Sequence, residues 1–245
     1  PRIGTRKLYY LLEDQLKDLR VGRDKMFTIL GANHMLIKPA RSYRKTTDSY
    51  HRYHKHKNLI AQITPSRPEQ VWASDITYLG HSGNHQYLAL VTDLYSKKIV
   101  GYDVSTSLSA DGTIRALKMG LKKRAYKDKE LIHHSDRGFQ YCNPKYTQFA
   151  ENNGITMSMT EQYDPYENAI AERINRTLKY EYGLKNRIKN TDIAQKIANQ
   201  AVYIYNNLRT HFSLDLRKPA EVHLNPNIKY KSYRKNKLNL TELKI

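Results

Sequence analysis

Three short β-rich runs follow one another between residues 71 and 105, and helix and strand signals then alternate to about residue 208. The runs are VWASDITYL (71–79), QYLALVTDLY (86–95) and KIVGYDVS (98–105), separated as turns by HSGNH (81–85) and SK (96–97). Connections this short join antiparallel neighbours, so the three make a meander. ADGTIRALKMGLKKRAY then sets Ile114, Leu117 and Leu121 on one helical face. ELIHHSD reads as a short strand, NPKYTQFAENNG as a helix closed by Gly154, and ITMSMT as a last short strand. Helices are expected over about 166–182 and about 191–208.

The order βββαβαβα is that of the ribonuclease-H-like fold: α/β, with a mixed five-stranded sheet and helices on both faces. A small all-α region precedes it. TRKLYYLLEDQLKDL places Leu8, Leu11, Leu12, Leu16 and Leu19 at three- and four-residue intervals. VGRD reads as a turn, with Asp24 as N-cap for KMFTILGANHML. This is a helix-turn-helix outline, which a plain helical hairpin shares.

Residues 39–69 hold basic, Tyr and His residues with few aliphatic ones, so they are expected as an exposed basic linker. That mixture suits phosphate contact and base stacking. His51, His54 and His56 do not make a zinc site, because the one cysteine is far away at Cys142. The expected organisation is a helical DNA-binding region with its basic segment (1–57), a linker (58–69), a catalytic core (70–190), a C-terminal helical segment (191–225) and a basic tail (226–245).

Charge narrows the partner. Lys and Arg number 42 against 23 Asp and Glu, a formal net charge of +19, which calls for a polyanion, most simply nucleic acid. A single cysteine excludes an intramolecular disulfide and fits a reducing compartment. No apolar run approaches the roughly 18 residues of a membrane span, and no signal peptide opens the chain. The chain starts at Pro1 rather than Met, as a fragment or processed product does.

Three carboxylates stand out. Asp75 lies in the middle of the first strand, where burial is costly unless the charge is paired or bound to a cation. Asp136 falls just past the fourth strand, where a sheet presents residues to ligands. Glu172 lies on the helix after the fifth strand, with 35 residues between it and Asp136. With the first and fourth strands adjacent, the three converge, and such hard oxygen ligands suit Mg²⁺ or Mn²⁺. Arg176 and Lys179 follow Glu172 at +4 and +7 on one face of the helix, in place for DNA phosphate. Gly138 permits the turn after the strand, His134 orients or contacts substrate, and His133 is packed or solvent-facing. Trp72 and Tyr78 are core residues. Tyr205, Asn206, Arg209 and His211 fit either ordinary packing at a helix end or a DNA or subunit contact.

The motifs WASDITYL around Asp75, HSDRGFQY around Asp136 and ENAIAERINRTLK from Glu167 through Lys179, with YNNLRTHFSLDLRKPAEVH near the C-terminus, resemble the catalytic polypeptide of insertion-sequence transposases of the IS-three group. That group lies within the DDE superfamily, which includes retroviral integrases. The resemblance implies that Asp75, Asp136 and Glu172 bind the metal, about two Mg²⁺ or Mn²⁺ ions, and catalyse cleavage and strand transfer at element ends. It implies DNA contact by Lys179, and adds Arg137, Asn168 and Arg209 to Arg176 and His134 as further candidates. It also implies a homo-oligomer on double-stranded DNA ends and target, a bacterial cytoplasmic location, and an upstream-frame partner or fusion carrying a helix-turn-helix and a leucine zipper. Glu167 stands where the family usually has Asp. Rival readings are a purely hydrolytic nuclease of the same fold, a DNA-binding regulator without activity, and a basic RNA-binding protein.

Overall fold

Strands β1 (Val71–Leu79), β2 (Gln86–Asp93) and β3 (Ile99–Ser105) form the antiparallel meander. Strands β4 (Leu131–Ser135) and β5 (Ile155–Met159) extend the sheet in parallel on the other side of β1, giving the order β3-β2-β1-β4-β5. The expected mixed five-stranded sheet is therefore present, with β1 at its centre. The computed structural model describes residues 3–37, 51–80, 86–161, 168–186, 188–225 and 227. The expected turn at 81–85, Glu167 and the basic tail from 228 onward lie outside the described residues.

Side chains of β1 alternate between two cores, as the pleat requires. Trp72 and Ile76 pack with Ala116 and Leu117 of helix α4 (Ala110–Lys122), Tyr141 of α5 (Phe139–Cys142) and Tyr146 of α6 (Pro144–Asn152). Val71, Ala73 and Leu79 face the opposite way, toward α7 (Ala169–Glu181) and α8 (Thr191–Asn207), which bring Ala171, Ile174, Leu178, Ala198 and Tyr205. Residues 191–207 thus share a core with the strands. α4 approaches β3 so closely that a Cβ on Gly101 would sit 2.0 Å from the Ala116 carbonyl oxygen.

The edge strand β3 is covered by Asn206, whose amide accepts from Ile99 N (2.9 Å) and donates to Ile99 O (2.9 Å). This side chain stands in for a missing neighbouring strand and blunts the edge. Past β2, Asp93 accepts from the Ser96 backbone N (2.7 Å), which turns the chain two residues earlier than expected. The short helix α9 (Pro219–Leu224), with Pro at its first position, closes the described chain by seating His223 beside Glu69.

Among the described residues three helices lie ahead of the sheet: α1 (Thr5–Leu11), α2 (Glu13–Asp18) and α3 (Arg23–Ala32). The first expected helix is broken at Leu12, where φ is −110°. Gly22, in extended conformation, caps α3. Asp24 is not the cap, because the helix begins one residue before it; it pairs with Arg23 in the first turn.

Residues 51–63 differ from the exposed linker expected of them. His51 Nε2 lies 2.9 Å from the Arg137 carbonyl, Tyr53 packs on the α4–α6 core, the Lys57 carbonyl accepts from Met159 N (3.2 Å), and Ile60 and Ile63 pack against Val71 and Ala73. Composition hid this because few apolar anchors spaced along an extended chain are enough to hold it down. The earlier part of that segment, 38–50, lies outside the described residues.

Candidate active site

The parallel ladder between β1 and β4 pairs Val71 with Ile132 and ends at Ala73 with His134. Carried two positions further, the same register sets Asp75 beside Asp136. Pairing has stopped there, so the two strands part and their carboxylates line the opening. Asp75 and Asp136 are both half-buried. Asp136 Oδ1 accepts from Gly138 N (3.0 Å); the Gly138 backbone, at φ −66°, is open to any residue, but a Cβ there would come within 2.9 Å of that oxygen and displace the carboxylate.

Helix α7 is laid over β1 by polar contacts spaced one helical turn apart. Asn175 Nδ2 donates to Asp75 Oδ2 (2.7 Å), and Lys179 Nζ donates to Thr77 Oγ1 (3.1 Å). At the start of the helix, Asn168 Nδ2 donates to the Ser74 carbonyl (3.2 Å). Residues four apart on the helix thereby meet residues two apart on the strand, both about 6 Å of chain. The same docking places Glu172, exposed in the first turn of α7, near Asp75 and Asp136 where β4 parts from β1.

The carboxylates feel one another. Burial first, then the Asp136 charge and, more weakly, Glu172, raise the Asp75 pKa to about 7, against the pull of the Asn175 hydrogen bond. Burial and Asp136 also raise Glu172. Such a crowd of anions is relieved by a cation. Among the described residues no three His, Cys, Asp or Glu side chains are gathered tightly enough to grip one ion as they stand. The donor chemistry nevertheless fits a hard divalent ion, since Asn168 and Asn175 each also hold a buried amide oxygen without a hydrogen-bond partner.

Other expected contacts fall differently. His134, expected to touch substrate, is instead buried, with Nδ1 2.9 Å from Ser158 Oγ, and burial lowers its pKa to about 4, so its ring is neutral. His133 is likewise buried, between Ser74 Oγ (2.7 Å) and Tyr146 Oη (2.9 Å). Asn168 is buried on the Ser74 carbonyl. Arg209 is turned inward to Glu181 (2.6 Å), so it is no DNA contact in this geometry; Tyr205 is fully buried near it. Arg176 is exposed beside the Tyr180 ring, and Arg137 is half-exposed next to Asp136. Sequence reasoning missed Asn175. Its signal was a polar residue interrupting the apolar stripe Ala171, Ile174, Leu178.

Comparison with known proteins bears on this geometry. Residues 65–165 match a family model described as integrase core domain, and residues 153–219 match a second model of the same description. An insertion element IS600 uncharacterized 31 kDa protein of Shigella sonnei is 35% identical over 219 residues, 89% of this chain and 79% of that one. The chain belongs to the insertion-sequence transposases of the IS-three group. With that group it is a DDE-type polynucleotidyl transferase by family.

Two further relatives of this transposase are matched over less of their length. The transposase for insertion sequence element IS629 of Shigella sonnei is 33% identical over 65% of this chain and 53% of its own. The transposase InsF for insertion sequence IS3A of Escherichia coli K12 is 36% identical over 51% and 43%. The chain thus spans about half of these two relatives. Among solved structures, a simian T-cell lymphotropic virus intasome chain superposes with TM-score 0.55 at 17% identity, covering 95% of this transposase and 79% of that chain. The HTLV-2 integrase catalytic core domain in complex with magnesium gives TM-score 0.51 at 18% identity, over 64% and 97%. At these identities the structures share the fold.

Proposed function

We propose that this transposase carries out metal-dependent DNA cleavage and strand transfer at the ends of an insertion sequence, with Asp75, Asp136 and Glu172 as its metal-binding carboxylates. The observation that carries the reading is the β1–β4 register, which brings Asp75 beside Asp136 where pairing stops, under the helix that the Asn175–Asp75 bond docks there with Glu172 in its first turn. Mg²⁺ or Mn²⁺, about two ions, would supply Lewis acidity and charge neutralisation at phosphorus. Support for the metal comes from the oxygen donors and from the magnesium in the HTLV-2 core.

The chain's own groups have distinct tasks. Asn175 fixes one oxygen of Asp75, and Gly138 N fixes one oxygen of Asp136, so both carboxylates are held before DNA arrives. Arg176 and Lys179 place phosphates along α7. In the first step water attacks the phosphodiester at the element's end, breaking the bond to the 3′ oxygen and leaving a 3′ hydroxyl and a 5′ phosphate. In the second, that hydroxyl attacks a target phosphodiester and passes its proton to solvent, while the displaced target 3′ oxygen takes up a proton from solvent to become a 3′ hydroxyl. One bond to phosphorus replaces another, so no outside energy source is needed. Joining two ends in one event calls for an oligomer on double-stranded DNA. Helices α1 to α3 serve DNA-end binding, and an upstream-frame partner assists.

Product identity tests the proposal. Labelled duplex carrying the element's ends is incubated with the protein and Mg²⁺ or Mn²⁺. Joined product is expected; nicks without joining, in every metal and at every end tried, would reduce the activity to hydrolysis.

A further inference from the structure

Residues 51–63 form a strap that crosses the β5 edge of the sheet. On one face Tyr53 packs against the core under α4 to α6; on the other Ile60 and Ile63 pack beside Val71 and Ala73. The crossing is fixed where the Lys57 carbonyl accepts from Met159 N and Leu59 N donates to Ser158 Oγ (2.9 Å). Met159 is paired with Ser135, the residue before Asp136. The strap therefore passes the sheet at the end where the three carboxylates stand.

Its upstream end reaches that site directly. The His51 ring meets the Arg137 carbonyl, one residue from Asp136, and His51, Tyr53 and Phe139 form a three-ring cluster with centroids 5.2 to 6.2 Å apart. The charges of Lys55 and Arg137 both act on the buried thiol of Cys142. Along the strap, inward and outward residues nearly alternate. Those turned in are His51, Tyr53 and His56; those left exposed are Arg52, His54, Lys55 and Lys57. Every exposed side chain of 51–57 is thus a cation or an imidazole, along an extended chain whose spacing of about 3.3 Å per residue spreads the charges. α7, with Arg176 and Lys179, lies on the opposite face of the sheet.

We propose that residues 51–57 are the second wall of the DNA cleft, with Arg52, Lys55 and Lys57 gripping the phosphate backbone across the carboxylates from α7. This rests on the reading of the site given above. The occupant is duplex DNA, because exposed cations beside phosphoryl-transfer carboxylates complement its phosphate backbone. The contact is therefore independent of sequence.

The test is the salt dependence of duplex binding, measured by fluorescence anisotropy on the whole chain in EDTA. Each phosphate contact contributes about −0.9 to the slope of log K against log salt. The triple variant Arg52→Gln, Lys55→Gln, Lys57→Gln should make the slope shallower by about two to three, equally on the element's ends and on unrelated duplex. The melting temperature should not change, since all three side chains are exposed. Lys55→Arg with Lys57→Arg should keep the wild-type slope. A control triple on exposed positions elsewhere, Lys118→Gln, Lys122→Gln, Lys127→Gln, should also keep it. An unchanged slope in the strap variant, an equal loss in the control, or no salt-dependent binding by the wild type would each overturn the inference. Because EDTA removes the chemistry from the readout, a failure of the carboxylate assignment leaves this result unaffected.

Discussion

The side-chain amide of Asn175 donates a 2.7 Å hydrogen bond to Oδ2 of Asp75, joining helix α7 to strand β1 across 100 positions of sequence. Asn175 is buried, so the bond is shielded from water and orients the carboxylate firmly. Partners of this kind around a metal ligand change affinity or activity by about 10- to 100-fold when removed. Asn175→Ala should slow strand transfer by that factor while duplex affinity stays at the wild-type level. Asn175→Asp should not restore the rate, because a carboxylate has no proton to donate. Single-turnover kinetics with binding isotherms check both.

Arg176 and Arg209 should separate binding from stability. Arg176 is exposed on α7, so Arg176→Gln should reduce the salt slope of duplex binding by about one and leave stability unchanged. Arg209 is half-buried against Glu181. Arg209→Gln should cost about 1 to 2 kcal/mol in urea unfolding and leave the slope alone. A salt slope that responds to Arg209 and not to Arg176 would reverse these assignments.

Legibility in the sequence followed the range of the forces involved. Strand and helix identity rests on local period, so β1 fell on the expected 71–79, and α4 and α8 began where their apolar stripes did. Asp75 and Asp136 stood out because a carboxylate amid apolar strand residues is costly without a compensating partner. What stayed hidden depends on contacts between distant segments. Arg209 looks free until Glu181 is brought to it, and His134 looks reactive until Ser158 closes over it. The strap carries too few apolar residues to announce burial. Its hydrogen bonds to Arg137, Ser158 and Met159 are backbone or neighbour-specific, and no composition encodes them.

The C-terminal clasp should show in pH dependence. His223 Nε2 lies 3.3 Å from Glu69 Oε1, its Nδ1 lies 3.0 Å from Ser96 Oγ, and the Glu69 carboxylate also accepts from Ala125 N (3.0 Å) and Tyr126 N (2.8 Å). Burial pushes the His223 pKa down, but the carboxylates of Asp93 and Glu69 outweigh it, and the net shift is upward from 6.5. A raised pKa means that the charged imidazole stabilises the fold fully below about 6.5 and that this contribution is lost as pH rises through the folded value. The difference in unfolding free energy between wild type and His223→Gln should therefore shrink as pH rises above about 6.5. A difference that grows with pH would mean the clasp is neutral.

Gly101 tests the packing of α4 on β3. With the Ala116 carbonyl 2.0 Å from any added Cβ, Gly101→Ala must push a helix backbone away from the sheet. Overpacking of this kind costs about 3 kcal/mol, read as a lower urea midpoint with an unchanged slope. Gly154→Asn is a fair comparison: φ there is +69°, nothing lies within 4 Å, and Asn tolerates that backbone. It should cost well under about 1 kcal/mol.

The most direct measurement is strand transfer by wild type and by Glu172→Gln, on labelled DNA bearing the element's own ends, with Mg²⁺ or Mn²⁺ and with end binding recorded in parallel. Glu172 is exposed, so the substitution spares the fold while removing one of three carboxylate charges. The expected result is metal-dependent joined product for the wild type, none for the variant, and end binding by both. Equal amounts of joined product from the two proteins would contradict the assignment of Glu172 and with it the three-carboxylate site.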